Sequence, residues 1–241
     1  MLEAAFWGFV GGASLLIGAG LGLWFSIPQR AIGLIMGFGS GVLISALAFE
    51  LAEGAFEVGG ADAVTLGLAL GAVSFFGANT VLNRRGGRDR KRSDGQQATG
   101  SSTAILIGAV MDGIPESAAI GLTLLGGGEV GAAVVVAVFL SNLPEAISAA
   151  TGMRKAGHEP RYVLGVWALV AAASALAAGL GYELLGGASG NVVAGTQAFA
   201  AGAVLTMLAD TMMPEGFKHG GDLVGLVTVL GFTAAFLLSH V

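Results

Sequence analysis

Two short stretches put carboxylates where water is scarce: AVMDGIPESAAI at 109–120 and FLSNLPEAIS at 139–148. Each sets a Pro-Glu pair, Pro115-Glu116 and Pro144-Glu145, inside an apolar run long enough to cross a bilayer. An ionised carboxylate near a bilayer centre costs several kcal/mol, about 3 on insertion scales. Groups kept in such a place bind something positive, so the chemistry expected is capture of a cation. Asp112 and Glu116 are four apart and share a helix face. Asn142 and Glu145 are three apart and Ser141 and Glu145 four, with the same result on the next helix. Proline has no N–H and clashes with the carbonyl four residues back, so Pro115 and Pro144 free the carbonyls of Met111 and Leu140. Freed carbonyls at membrane depth are tolerated where they line a cavity or coordinate an ion. The bland alternative makes the prolines kinks and the acids protonated packing groups. Three acids at matched depth, with each glutamate directly after a proline, weigh against it.

Depth follows from the elements that must carry these residues. Hydrophobic residues make up 54% of the chain and charged ones only 11%, with mean hydropathy +0.80. A soluble domain carries about a quarter charged residues, so the class is a polytopic helical membrane protein. A spanning helix needs about 20 mostly apolar residues. That criterion predicts eight segments, at 4–25, 31–53, 63–82, 102–125, 130–153, 162–185, 192–213 and 223–239. Gly126, Gly127 and Gly128 end the fourth, and Gly186 and Gly187 the sixth. Counting from 102 to Asp112 and from 130 to Asn142 at about 1.5 Å per residue, both reach the middle of a roughly 30 Å core. Two consecutive helices therefore present oxygen ligands at one level. The 42 glycines fit close helix packing, with Gly33, Gly37 and Gly41 on one face and Gly67 and Gly71 on another.

The stretch 83–101, NRRGGRDRKRSDGQQATGS, has the composition of a disordered, solvated connection and reads as a topological anchor, with no nucleic-acid partner. All eleven Lys and Arg fall in odd-numbered loops, which predicts a cytoplasmic 83–101 loop and both termini outside. The N-terminus has no basic residue before its apolar run and reads as a retained helix rather than a cleaved signal. Residues 38–56 echo residues 199–217, with matches at Phe38/Phe199, Gly41/Gly202, Leu47/Leu208, Ala48/Ala209 and Phe56/Phe217. The two would run in opposite directions, as inverted repeats do in transporters. There is no cysteine, which excludes disulfides and thiolate ligands.

The paired Pro-Glu helices, eight spans and long third loop resemble the ZIP family of divalent metal transporters, its bacterial branch above all. AFAAGAVLTMLADTMMPEGF at 198–217 and GVLISALAFELAE at 41–53 are similar to that family's seventh and second helices. The resemblance implies an all-α membrane fold of eight helices in a 3+2+3 arrangement of inverted repeats, as one transporter domain over 1–241. It implies metal between the fourth and fifth helices, with Asp112, Glu116 and Glu145 as ligands and Ser141 and Asn142 in further ligand positions. The family's fourth-helix His-Asn-x-Pro-Glu falls on Asp112, Gly113, Ile114, Pro115 and Glu116, so an aspartate stands for the histidine. The family's sixth-helix acid has no counterpart, since 165–180 contains no carboxylate. One metal is therefore favoured over two. An oxygen-rich site suits Mn, Mg or ferrous iron at least as well as zinc.

Glu50, Glu53, Asp210 and Glu215 lie toward helix ends, where they are either stations on a cation pathway or carboxylates reaching water. The three histidines, His158, His219 and His240, lie outside every helix core and read as surface residues. The expectation is a multi-pass plasma-membrane carrier of a divalent cation, with the metal as substrate and no cofactor. A homodimer is left open as its assembly. The rival is a carrier of the same fold that has lost metal and handles protons or an organic cation. An intramembrane enzyme is disfavoured: there is no His-Glu-x-x-His, and Ser141 and Ser117 have no histidine or lysine base at hand.

Overall fold

The computed structural model describes residues 1–95, 102–126 and 130–239. It is helical throughout, with no strand among the described residues. Helix α1 spans Leu2–Trp24 and α2 Gln29–Ala46. A π-helical turn at Leu47–Ala52 leads into α3, Glu53–Leu82. After α4 (Ser102–Thr123), α5 (Ala132–Lys155) and α6 (Pro160–Leu185) comes α7, Gly190–Met207. A second π-helical turn, Leu208–Met212, joins it to α8 (Met213–Gly220), and α9 is Leu223–Leu238.

Among the described residues, six helical runs are long and apolar enough to cross a membrane, and α9 is a shorter apolar helix. One run, Gln29–Gly87, is 59 residues long, about twice what a single crossing needs. It bends at Gly60, whose φ of 69° favours glycine. Packing shows that the chain turns back there. Gly33, near the start of the run, lies against Gly216 and Gly220; Val58 touches Gly190 at the far end, where α7 starts; and Asn79, near the end of the run, bonds Asp210 just after α7. The 54–62 stretch, expected as a connection between spans, is thus helical on both sides of a single glycine.

Terminators are local and legible. Pro28 caps α2, and Pro160 opens α6, where its missing N–H costs nothing. Helix α5 closes with Gly157 at φ 87° and the His158 amide bonded to Met153 O, the Schellman pattern. The end of α4 expected at the glycine trio falls at Gly126. Gly127 and Gly128, like His240, lie outside the described residues.

The sequence echo is structural. The π-helical turns begin at Leu47 and Leu208, and the positive-φ glycines Gly60 and Gly221 follow at the same separation. Packing is reciprocal: α2 lies on α8 and α9, and α7 lies on α3. A Cβ on Gly41 would collide with Thr228 O, and one on Gly202 with Leu68 O. Both predicted glycine faces are these contact lines. Overpacking a tight core costs about 1–3 kcal/mol. Gly41→Ala and Gly202→Ala are expected to lower thermal stability of the detergent-solubilised protein by that order. Gly225→Ala, which would meet nothing within 4 Å, should leave it unchanged.

Leu66, Leu70, Val73 and Phe76 of α3 and Leu226, Val229 and Leu230 of α9 are exposed. Apolar residues pointing outward on long apolar helices suit contact with lipid, which needs no polar face.

Candidate cation site

Helix α4 carries Asp112 and Glu116 and α5 carries Glu145, and their exposures are only 1%, 2% and 4%. Pro115 and Pro144 sit inside these continuous helices. Helix α4 packs mainly on α6 and α7, and α5 mainly on α1 and α2. Apolar contacts thus lie behind each helix, and the polar groups are left in a seam between them.

The chain itself fills that seam. Asn83–Gly87 continues α3 as a π-helical turn, and the residues after it fold inward. Arg90 donates from Nε to Asp112 Oδ2 at 2.8 Å and from Nη2 to Asp112 Oδ1 at 2.9 Å, a two-pronged bond. Lys91 Nζ lies 2.8 Å from Glu145 Oε1 and 3.2 Å from Asp112 Oδ2. Both basic residues are buried. Burial alone would push the Lys91 ammonium down, but Asp112 and Glu145 outweigh that and hold it above the ordinary lysine range. It remains a cation. The part of the 83–101 stretch expected to be solvated thus contributes the site's counter-charge; residues 96–101 lie outside the described residues.

Of the predicted ligands, Lys91 bridges Asp112 and Glu145. Glu116 stands apart: both its oxygens are buried with no well-formed hydrogen bond, the Asn142 side chain being the nearby donor, within Coulombic reach of Glu145 and Lys91. Ser141 Oγ donates to Val138 O at 3.0 Å, and Asn142 Nδ2 to Gly11 O at 3.5 Å. Those bonds use donors only, so Ser141 Oγ and Asn142 Oδ1 keep their lone pairs. Among the described residues no three His, Cys, Asp or Glu side chains converge as a metal-ligating group. An ammonium lies between the acids instead.

The four outlying acids separate into two ends. Glu50, with Glu57, Thr123 and Gln197, lines a cavity of about 610 Å³ where α4 and α6 finish and α5 and α7 begin. Glu53 is exposed nearby on the first turn of α3. Asp210 accepts a bond from Asn79 Nδ2 at 3.1 Å, and Asn79 Oδ1 accepts one from Arg90 at 3.0 Å. Asp210 therefore belongs to the network around Asp112. Glu215 is fully buried at the opposite end of the bundle. It accepts from Ser93 N at 2.8 Å, Ser93 Oγ at 2.7 Å and Arg92 Nη1 at 3.0 Å. His219 Nε2 lies 3.3 Å from it, so His219 borders this centre rather than standing alone on the surface.

Asp94 pairs with Lys218 and lies near His219. Burial would raise its carboxyl, but the hydrogen bond from Lys218 and the charges of His219, Lys218 and Lys155 outweigh that and hold it below the ordinary range. A depressed carboxyl stabilises the fold above its unfolded value and loses that contribution as pH falls through its folded value. The gap in thermal stability between the parent and Asp94→Asn is therefore expected at neutral pH, to start shrinking near pH 4 and to be smaller at pH 3 than at pH 7. Calorimetry at pH 7 and pH 3 checks it.

Arg90, Lys91, Asn79, Ser93 and Ser148 are the site residues that spacing did not point to. One signal was present. Asp112, Glu116 and Glu145 have no basic residue in their own helices near them, and the densest basic tract lies at 84–92. In comparisons with known proteins, no family model and no curated protein matches the chain.

Proposed function

We propose that the protein carries a divalent metal cation across the plasma membrane through the seam between α4 and α5. The observation that carries this reading is the seam's content: carboxylates buried in apolar helices, held against cationic groups. A site built this way selects positive charge and rejects anions by the cost of leaving an acid unpaired. Asp112, Glu116 and Glu145 supply the negative charge. Ser141 Oγ, Asn142 Oδ1 and the carbonyls freed by Pro115 and Pro144 complete the oxygen shell. Zinc, Mn and ferrous iron are the candidate substrates, and the ligand set favours the harder ions.

The same reading counts eight crossings, taking the legs on either side of Gly60 and the short α9 as spans. It treats α1–α3 and α6–α9 as inverted three-span repeats flanking α4 and α5, a ZIP-like arrangement supported by the paired π-helical turns and reciprocal packing. The basic residues assign residues 83–101 to the cytoplasm and both termini to the outside. The Glu50 cavity is then the outer mouth, and Glu215 lies on the inner path.

A second reading has support of its own: the two-pronged Arg90–Asp112 bond is a ready-made seat for a guanidinium or other organic cation. Uptake into proteoliposomes decides between them, with Mn, Fe, Zn, Cd and Mg tested beside guanidinium and alkylammonium ions. Uptake of a divalent ion supports the first reading. Uptake of organic cations alone supports the second.

A further inference from the structure

We infer that Arg90 and Lys91 are a tethered stand-in for the transported ion, so that the metal and this segment occupy the Asp112–Glu145 seat in alternation. The inference rests on the cation-transport reading above. Its first support is charge. Arg90 and Lys91 together bring two positive charges to Asp112 and Glu145, the charge of one divalent ion. They use the same carboxylate oxygens that a metal would need. Simultaneous occupancy would gather four positive charges, from Arg90, Lys91 and the metal, against at most three negative ones from Asp112, Glu116 and Glu145, which the low dielectric of the seam penalises.

The second support is how the segment is held. Residues 86–95, GGRDRKRSDG, contain no apolar side chain, so the hydrocarbon they bury is confined to the stems of Arg90 and Lys91. The remaining holds are polar. Ser148 Oγ on α5 donates to Lys91 O at 2.7 Å. Gln29 on α2 and Lys155 on α5 donate to Ser93 O at 3.0 and 2.9 Å. Glu215 on α8 takes Ser93 and Arg92. Water and a metal ion can replace each of these contacts. A buried ion pair contributes little net stability once its desolvation is counted. A permanent structural plug would ordinarily include apolar side chains; this one has only the stems of Arg90 and Lys91, whose charged ends make the contacts.

The third support is position. The segment approaches from the end where α5 finishes and α2 begins, and lies between Asp112 and Glu215. While seated it blocks the seam toward that end and neutralises the two acids it contacts. A metal arriving from the Glu50 cavity expels Lys91 from Glu145, and the departing segment uncovers Ser148 and Glu215 beneath it. By linkage the effect is reciprocal: whatever the metal does to the segment, the segment does to metal affinity.

The chain has no cysteine, so a single Ser148→Cys reporter gives labelling without background. Ser148 is fully buried under the segment. The experiment measures maleimide labelling of S148C in purified full-length protein, with and without Mn²⁺, and Mn²⁺ binding by calorimetry. The expected result is slow labelling alone and an acceleration of about tenfold or more at saturating Mn²⁺, within the usual range for linked sites. In the R90Q/K91Q background, labelling should be fast without metal and Mn²⁺ binding tighter by a similar factor. Mn²⁺ that binds the parent without speeding labelling overturns the inference while leaving the transport reading intact. So does Mn²⁺ binding that is unchanged or weaker in R90Q/K91Q. If neither protein binds Mn²⁺, Zn²⁺ or Fe²⁺, the transport reading fails and the inference falls with it, a pattern distinct from the other two. Should R90Q/K91Q fail to fold, the parent measurement decides alone.

Discussion

On the proposed metal-transport reading, Mn²⁺ uptake by proteoliposomes carrying Glu145→Gln is expected to fall at least about a hundredfold below the parent, since groups one step removed from a bound metal already cost 10–100-fold. The substitution keeps the side chain's shape and removes its charge. Two effects then compete. Loss of the Lys91 partner loosens the segment that fills the seam, which alone would raise uptake. Loss of a charged ligand lowers metal affinity and weakens the site's hold on any cation. The second dominates, because a neutral amide in an apolar seam cannot balance a divalent charge. Glu116→Gln is expected to match it in uptake but not in the segment's seating, since Glu116 makes no bond to Arg90 or Lys91. Glu159→Gln, at the exposed start of α6, serves as the unaffected control. Uptake equal to the parent in both seam variants would remove the site from consideration.

The second large effect concerns stability. Arg90→Gln leaves Asp112 with Lys91 alone, and Asp112→Asn leaves a buried guanidinium facing an amide. Breaking one partner of a buried pair costs about 3–5 kcal/mol. Each single variant is expected to approach that in thermal unfolding of the metal-free protein. The double variant R90Q/D112N should cost clearly less than the two combined, with a coupling of about 2–3 kcal/mol. Strict additivity would mean that the two-pronged bond contributes nothing to the folded state. Asn79 provides a check on the wider network, since it joins Arg90 to Asp210.

Much of the helical architecture could be read from composition alone, because apolar runs bounded by Pro28, Pro160, Gly157 and Gly186 leave few choices. Asp112 and Glu145, expected at one level, do reach a common cation, and that cation is Lys91. Two features escaped. The stretch 54–62 has enough glycine and acid to read as a loop, and nothing in its composition shows that one left-handed glycine is sufficient for the turn. The composition of the basic stretch 83–95 says only that it cannot form an apolar core of its own. Composition is blind to a core of opposite charge waiting elsewhere. Asp112, Glu116 and Glu145 create that demand, and the demand is visible only once the helices bearing them are set side by side.

The reciprocal packing of the glycine-lined helices has a consequence for how the chain is made. Residue 41 rests on residue 228 and residue 202 on residue 68, so each half finishes its packing with pieces of the other. Helix α2 leaves the ribosome long before its partner α9. Through most of synthesis the narrow face of α2 has only lipid or an insertion factor to lie against. Contacts so distant in sequence form slowly, and chains awaiting them are exposed to misassembly. The glycine faces that give the mature bundle its tight fit are thus the surfaces that the newborn protein must keep covered longest.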